Sequence, residues 1–197
     1  GVGSSSLTFH PPTMQIDPET HDRSLYRTMT GAVVPRPIGW ISTTGEDGVD
    51  NLAPYSYLNV VSADPPVVMF SPADKSPDEL KDSARNVVDT GEFVHNVVTR
   101  PLAESMSETS AMLPPDESEF DHTGLERAAS EKVDPPRVAA ADVAFECELY
   151  DVVDVGVGTM ILGEIVLVHV DDNVTTDGKV DVKKVDAVGR LAGNYYA

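Results

Sequence analysis

The chain has 197 residues, a mass of 21.1 kDa and one cysteine, which favours a single domain that buries its own core without a disulfide or Cys-rich zinc staple. Its 33 acidic residues against 14 basic ones give a formal net charge of −19, so nucleic acid and an anionic membrane are poor partners. No run reaches the roughly 18 apolar residues of a membrane span, and GVGSSSLTFHPP lacks the basic start of a signal peptide, so the cytoplasm is the expected compartment.

Residues 1–24 are poor in apolar side chains and rich in early prolines, which predicts an extended N-terminal arm before a domain over 25–197. From Val33 onward, VVPRPIGWIST, VDNLAPYSYLNVVS and VVMFS predict three strands, the first pair joined by a turn at Gly45-Glu46-Asp47-Gly48. The pattern then changes. Leu80, Ala84, Val87 and Val88 recur at helical spacing, and Gly91 sits where a helix end takes a left-handed residue, so a short helix precedes the strand EFVHNVV. A second helix is predicted from Pro101 through Leu102, Met106 and Met112 to Leu113, stopped by Pro114-Pro115. Residues 114–137 are acidic and Pro-rich and read as a long surface loop with room for one helical turn. Three strands close the chain: DVAFECELYDVVDVG, MILGEIVLVHVDD and a short KVDVKKVD, followed by VGRLAGNYYA. The 28 Val against 12 Leu favour sheet. Strands joined by short turns and interrupted once by two helices predict a mainly β protein, a barrel with short helices packed outside it or across one end.

Several reaction classes lack their residues. There is no Walker loop, no Gly-x-Gly-x-x-Gly after a strand, and the five histidines show no zinc-ligand spacing, so no metal site and no catalytic side chain is expected. Cys147 lies in an alternating apolar strand and reads as core. His95, between Val94 and Asn96 in a strand, reads as a packing or interface residue, and Trp40 as core. What remains suits a phosphate. Ser83 follows Lys81-Asp82 at a helix start, where it either caps its own helix or adds a hydroxyl to free backbone N–H groups that bind an anion. Arg36, rigidly placed between two prolines, and Arg190, after Gly189, are cationic candidates, although each has many carboxylates to pair with.

The segments PRPIGWISTTGEDGVDNLAPYSYLNVVSADPPVVMFS, KDSARNVVDTGEFVHNVV, PPRVAAADVAFECELYDV and GRLAGNYYA together resemble the flavin reductase-like, FMN-binding split-barrel family, in its flavoredoxin-type branch. The resemblance runs from Leu25 to Ala197. It implies a homodimeric split β-barrel that binds FMN and is reduced by NADH or NADPH. By position it implies that Asn51, Leu52, Ala53, Pro54, Tyr55 and Ser56 lie along the isoalloxazine ring, mostly through backbone groups, with Tyr57 at the end of the segment. It further implies that Ser42, Thr43 and Thr44 face the ribityl chain or phosphate, and that Lys81 and Ser83 stand in the family's Lys-Asp-Thr phosphate motif. Ser71 and Arg36 join the cofactor set. Arg190 takes the arginine of a C-terminal Gly-Arg-Leu-Gly-Gly pattern in which Ala192 replaces a glycine.

Two readings follow from different classes. One is an NAD(P)H-dependent flavin reductase with hydride transfer to flavin N5, serving an electron-accepting partner protein. The alternative is an FMN-binding or electron-carrier protein without nicotinamide turnover. The bias to Asp, 20 against 13 Glu and only 6 Lys, further suggests a halophilic source, since concentrated salt screens the self-repulsion of such a surface.

Overall fold

The computed structural model describes residues 13–21, 24–73, 76 and 79–197, so residues 1–12 and 22–23 of the expected N-terminal arm lie outside the described residues. In chain order the elements are α1 (Tyr26–Ala32), β1 (Arg36–Pro37), β2 (Gly39–Thr44), β3 (Asp50–Tyr55), β4 (Leu58–Ala63), β5 (Pro66–Phe70), α2 (Asp82–Thr90) and β6 (Glu92–Val97). A 3-10 turn at Arg100–Leu102 leads into α3 (Ala103–Glu108), then α4 (Glu119–Thr123), β7 (Arg127–Ala128), β8 (Arg137–Val138), β9 (Val143–Val155) and β10 (Gly158–Val170). β11 (Thr175–Thr176), β12 (Lys179–Val180), α5 (Val182–Val185) and β13 (Gly189–Arg190) complete the chain. Among the described residues no helix is long and apolar enough to cross a membrane.

Seven strands form one antiparallel sheet in the order β3-β2-β6-β9-β10-β5-β4. Its two edge strands, β3 and β4, are separated in sequence by Ser56 and Tyr57 alone. The edges therefore have to meet, and the sheet curls into a barrel left unpaired only along the β3/β4 seam. Closing a sheet in this way removes most of its exposed edge. Full alternation would bury one face of each strand, yet β2 is buried at five of its six positions, because both faces are covered. Ile41 joins the inner cluster with Phe70, Phe93, Cys147 and Ile161, against which α2 lays Ala84 and Val87. Trp40 and Ile38 join a second cluster with Met106 of α3 and Phe120 of α4 on the outer face.

Local chemistry explains the turns. Gly48, at φ +80°, and the Asp47 carboxylate, which accepts from Val49 N at 3.1 Å, make the β2–β3 hairpin. Helix α2 ends at Gly91, φ +81°, whose N–H donates to Val87 O. Gly163 has a packing reason: a Cβ there would stand 2.3 Å from the Phe93 ring, which stacks edge-on against Phe70 at 5.2 Å.

Three expectations are corrected. The predicted strand VDNLAPYSYLNVVS is two strands, β3 and β4, because Ser56 and Tyr57 turn the chain from one sheet edge to the other. The helix expected to reach Leu113 stops at Glu108, where Thr109 turns its hydroxyl back to Met106 O and accepts from the Trp40 indole N–H at 2.9 Å. KVDVKKVD is the two-residue β12 followed by α5. The helical turn allowed within 114–137 is α4, which buries Phe120 completely. α1 lies in a stretch for which no element was expected.

Candidate functional site

Where the seam opens, a cavity of about 1030 Å³ is walled by α1, β1, the end of β3, α3 and the C-terminal residues 190–196. Five of the expected residues line it: Arg36, Pro54, Tyr55, Ser56 and Arg190. Strands β1 and β13 pair antiparallel with Arg36 directly opposite Arg190. Like charges facing each other across a ladder destabilise it, so the pair needs a compensating partner.

Among the described residues no carboxylate supplies one. Arg36 is 8% exposed; its Nη1 donates to Thr30 O and Val33 O, both at 2.8 Å, and its Nη2 to Leu191 O at 3.2 Å. The guanidinium thus closes the C-terminal end of α1 and ties it to the C-terminal segment, and its buried Nε has no partner. Arg190 lies over the Tyr196 ring at 4.8 Å and donates to Tyr196 Oη and Gly193 O. In a chain of 33 acids, two facing arginines that bind only carbonyls, a phenol and a ring make a site with unneutralised positive charge.

Tyr55 connects this wall to the interior. Its hydroxyl donates to Ser83 Oγ at 3.0 Å, Ser83 donates to Asn51 Oδ1 at 2.6 Å, and the Asn51 amide N–H groups lie 3.0 Å from both oxygens of Glu119. Glu119 also accepts from Leu52 N at 2.8 Å. Burial raises the Tyr55 phenol to about 12, against the lowering effect of its bond to Ser83. Burial likewise raises the Glu119 carboxyl, opposed by the Leu52 N–H.

The other expected residues lie elsewhere. Ser42 and Thr43 are fully buried in the barrel wall, Ser42 donating to Pro136 O and Thr43 accepting from the Asn86 amide. Thr44 donates to Asp50 across the hairpin, and Leu52 is core. Ala53 sits opposite Ile41 in the ladder. Lys81 is the N-cap of α2, and its own side chain makes no capping hydrogen bond. Ser71, whose N–H donates to Tyr57 O, follows β5. Ser83's hydroxyl neither caps its own helix nor stands free for a phosphate, because its single proton is committed to Asn51.

Sequence reasoning missed Tyr26 and Thr30 of α1, Ser107 and Ser110 of α3 and Tyr196, all of which line the cavity. Tyr26, Met29, Thr30 and Val33 do recur at helical spacing, a signal that was there to read. Two other groups are accounted for by packing. Cys147 is buried, with its thiol pushed up by burial. His95 stacks on Phe145 at 5.4 Å, its ring buried beside the Ile38 backbone. No group of three or more His, Cys, Asp or Glu arranged to hold a metal ion occurs among the described residues.

Comparison with known proteins agrees with this geometry. The flavin reductase like domain matches residues 29–184. An uncharacterized protein of Aquifex aeolicus is 43% identical over 179 residues, covering 90% of this chain and 91% of that one. Nitrilotriacetate monooxygenase component B from Bacillus cereus superposes with a TM-score of 0.91 at 31% identity, covering 95% of this chain and 96% of that chain. A flavin reductase with a split barrel domain from Shewanella frigidimarina superposes at 0.79 with 26% identity, covering 94% of each chain. The open-seamed barrel is thus a split barrel, and the chain belongs to the flavin reductase-like family.

Proposed function

We propose that the protein is an NAD(P)H-dependent flavin reductase that uses FMN. The observation that carries this reading is the facing pair Arg36 and Arg190, without carboxylate partners, at the wall of a cavity of about 1030 Å³. Flavin mononucleotide and reduced nicotinamide dinucleotides are both anionic, flat-ringed molecules, and the volume stands at the upper end of the roughly 300–1,000 Å³ of small-molecule sites. An anion placed against the two arginines relieves their repulsion.

When bound, the flavin supplies the hydride-accepting chemistry at N5. The chain's own work is to bind and orient. Pro54 and Ser56 offer backbone edges to a ring system, Ile38 and Met106 exclude water, and Arg36 and Arg190 hold anionic groups. The segment Asn51–Ser56, with Ser71, borders the ring, and Lys81, the N-cap of α2, completes a phosphate contact. No side chain acts as acid or base.

The protein works as a homodimer in the cytoplasm. Support comes from Val60, Val61, Val155 and Val157, exposed by 50–85% on the β4 edge and the β9–β10 hairpin, where a second copy would cover them. A resemblance at 31% identity to a monooxygenase's component B supports delivery of reduced flavin to a separate partner protein. Stopped-flow mixing of the flavin-loaded protein with NADH or NADPH tests the reading: bleaching of the oxidised-flavin absorbance is expected. Bound flavin that neither nicotinamide bleaches would make the protein a carrier instead.

A further inference from the structure

Four residues form one hydrogen-bonded path from the cavity wall to a buried carboxylate: Tyr55, Ser83, Asn51 and Glu119. Three of the four can turn their donors and acceptors either way. A hydroxyl rotates, and an amide can exchange its oxygen and nitrogen at little cost in shape. Glu119 cannot, because an ionised carboxylate only accepts. It already takes Leu52 N at 2.8 Å, so the group facing it from Asn51 has to be the NH₂. That leaves Asn51 Oδ1 toward Ser83, obliges Ser83 to donate, and so obliges the Tyr55 hydroxyl to point its proton inward at Ser83.

We infer that Glu119 is a positioning residue for the ligand cavity, setting the direction of this relay and thereby locking the Tyr55 ring as cavity wall. The inference rests on the flavin reading for what the cavity holds. It carries a specificity consequence: Ser83 has no proton left for a phosphate, so recognition of the phosphate falls to cationic and backbone donors, and the relay serves the ring and its polyol chain. Nothing local singles out Glu119, which stands in an acidic, Pro-rich stretch that reads as a surface loop. In the fold its residue is 6% exposed.

Glu119→Gln puts an amide opposite the Asn51 amide. With Gln Oε1 retained by Leu52 N, the Gln NH₂ faces Asn51, which turns over, and every donor in the path reverses. Adding Asn51→Asp restores an acceptor to both neighbours, so Ser83 donates again and the original direction returns. Titrating the full chain with FMN and with riboflavin reads the result by fluorescence quenching. Glu119→Gln and Ser83→Ala should each weaken both flavins by a common factor of about tenfold, the equivalent of one lost hydrogen bond to a charged or oriented partner. The two changes together should be no worse than either alone, and Glu119→Gln with Asn51→Asp should recover most of the affinity. Ser83→Ala that weakens FMN while sparing riboflavin overturns the inference, as do additive effects of the two changes or a folded exchange variant that recovers nothing.

The same cycle measured as urea unfolding of the flavin-free protein keeps the relay separate from the flavin reading. Glu119 and Ser83 are joined through Asn51, so the relay requires non-additive stability losses, and additivity there overturns it even if no flavin binds. A parent protein that binds neither flavin removes the flavin reading and leaves the unfolding cycle to decide the relay.

Discussion

His169 Nε2 meets Glu146 Oε1 at 2.5 Å, and that carboxylate, fully buried on β9, also accepts the N–H groups of Glu131 and Lys132 at 2.9 and 2.6 Å. One side chain thereby fastens the loop between β7 and β8 to the outer face of the barrel. Burial pushes the Glu146 carboxyl upward, but the bonds from His169, Glu131 N and Lys132 N together outweigh it and hold the group below its ordinary 4.5. The unfolded chain therefore binds the proton first, and the stabilisation is complete above about pH 4.5 and lost as pH falls through the lower folded value. Glu146→Gln should cost about 2 kcal/mol at pH 7, and the gap from the parent should narrow at pH 4 and below. Urea midpoints of both proteins from pH 7 to pH 3 check this, and a gap independent of pH would sink it.

His95 works in the opposite charge state and in a different window. Burial holds its imidazole down at about 4, so it is neutral in the fold, whereas the unfolded residue protonates near 6.5. Between these values the unfolded chain carries the extra proton, and stability falls as pH drops from 6.5 toward 4. The Ile38 backbone beside the ring opposes that lowering and is outweighed by burial. His95→Phe should remove that slope and leave stability at pH 7 within about 1 kcal/mol of the parent, since an aromatic ring of similar volume still packs on Phe145. Thermal unfolding of both proteins at pH 7 and pH 5 separates this from a core histidine that merely fills space.

Arg36 and Arg190 should separate stability from binding. Arg36→Met strips donors from three backbone carbonyls and should destabilise the fold by at least about 2 kcal/mol. Arg190→Gln, whose partners are a partly exposed phenol and a loop carbonyl, should leave unfolding within about 1 kcal/mol of the parent. It should nevertheless lower the second-order rate of flavin reduction by NADH or NADPH about tenfold. An Arg190→Gln protein reduced at the parental rate would remove that residue from the site.

Asp replacing both Val60 and Val61, exposed by 65 and 50% on the edge strand β4, should convert a dimer to a monomer while leaving each barrel folded. Sedimentation velocity in high salt reads the outcome directly. In the same buffers the unfolding midpoint of the parent should climb between dilute and molar salt, because a net charge of −19 repels itself least when the Debye length is about 3 Å.

The sequence made legible what depends on neighbours in the chain. Gly91 ends α2, Asp47 and Gly48 turn the hairpin, and β9 and β10 follow their Val-rich runs. What stayed hidden depends on closure of the barrel. Nothing in Ser56-Tyr57 announces a break, because the turn there is imposed by two sheet edges meeting. α1, YRTMTGA, has weak helix formers, and its C-terminal carbonyls are satisfied by a guanidinium four residues beyond its end. Of the candidate site, Arg36 and Arg190 were readable because arginines beside proline or glycine stand out locally, and Pro54–Ser56 because their segment resembles the family's. The hydroxyls of Ser42 and Thr43 were misplaced because β2 is buried on both faces, which alternation alone does not reveal. Glu119 was missed because acidity in a loop normally means solvent.

Arg36 grips α1 and the C-terminal segment only by carbonyl oxygens, those of Thr30, Val33 and Leu191. Every amino acid carries that oxygen, so residues along two walls of the cavity can be exchanged without loosening the clamp that sets their distance apart. The arrangement divides labour between one irreplaceable side chain and many replaceable ones. A lineage could retune which molecule fits between those walls, one surface residue at a time, while the frame around them keeps its shape.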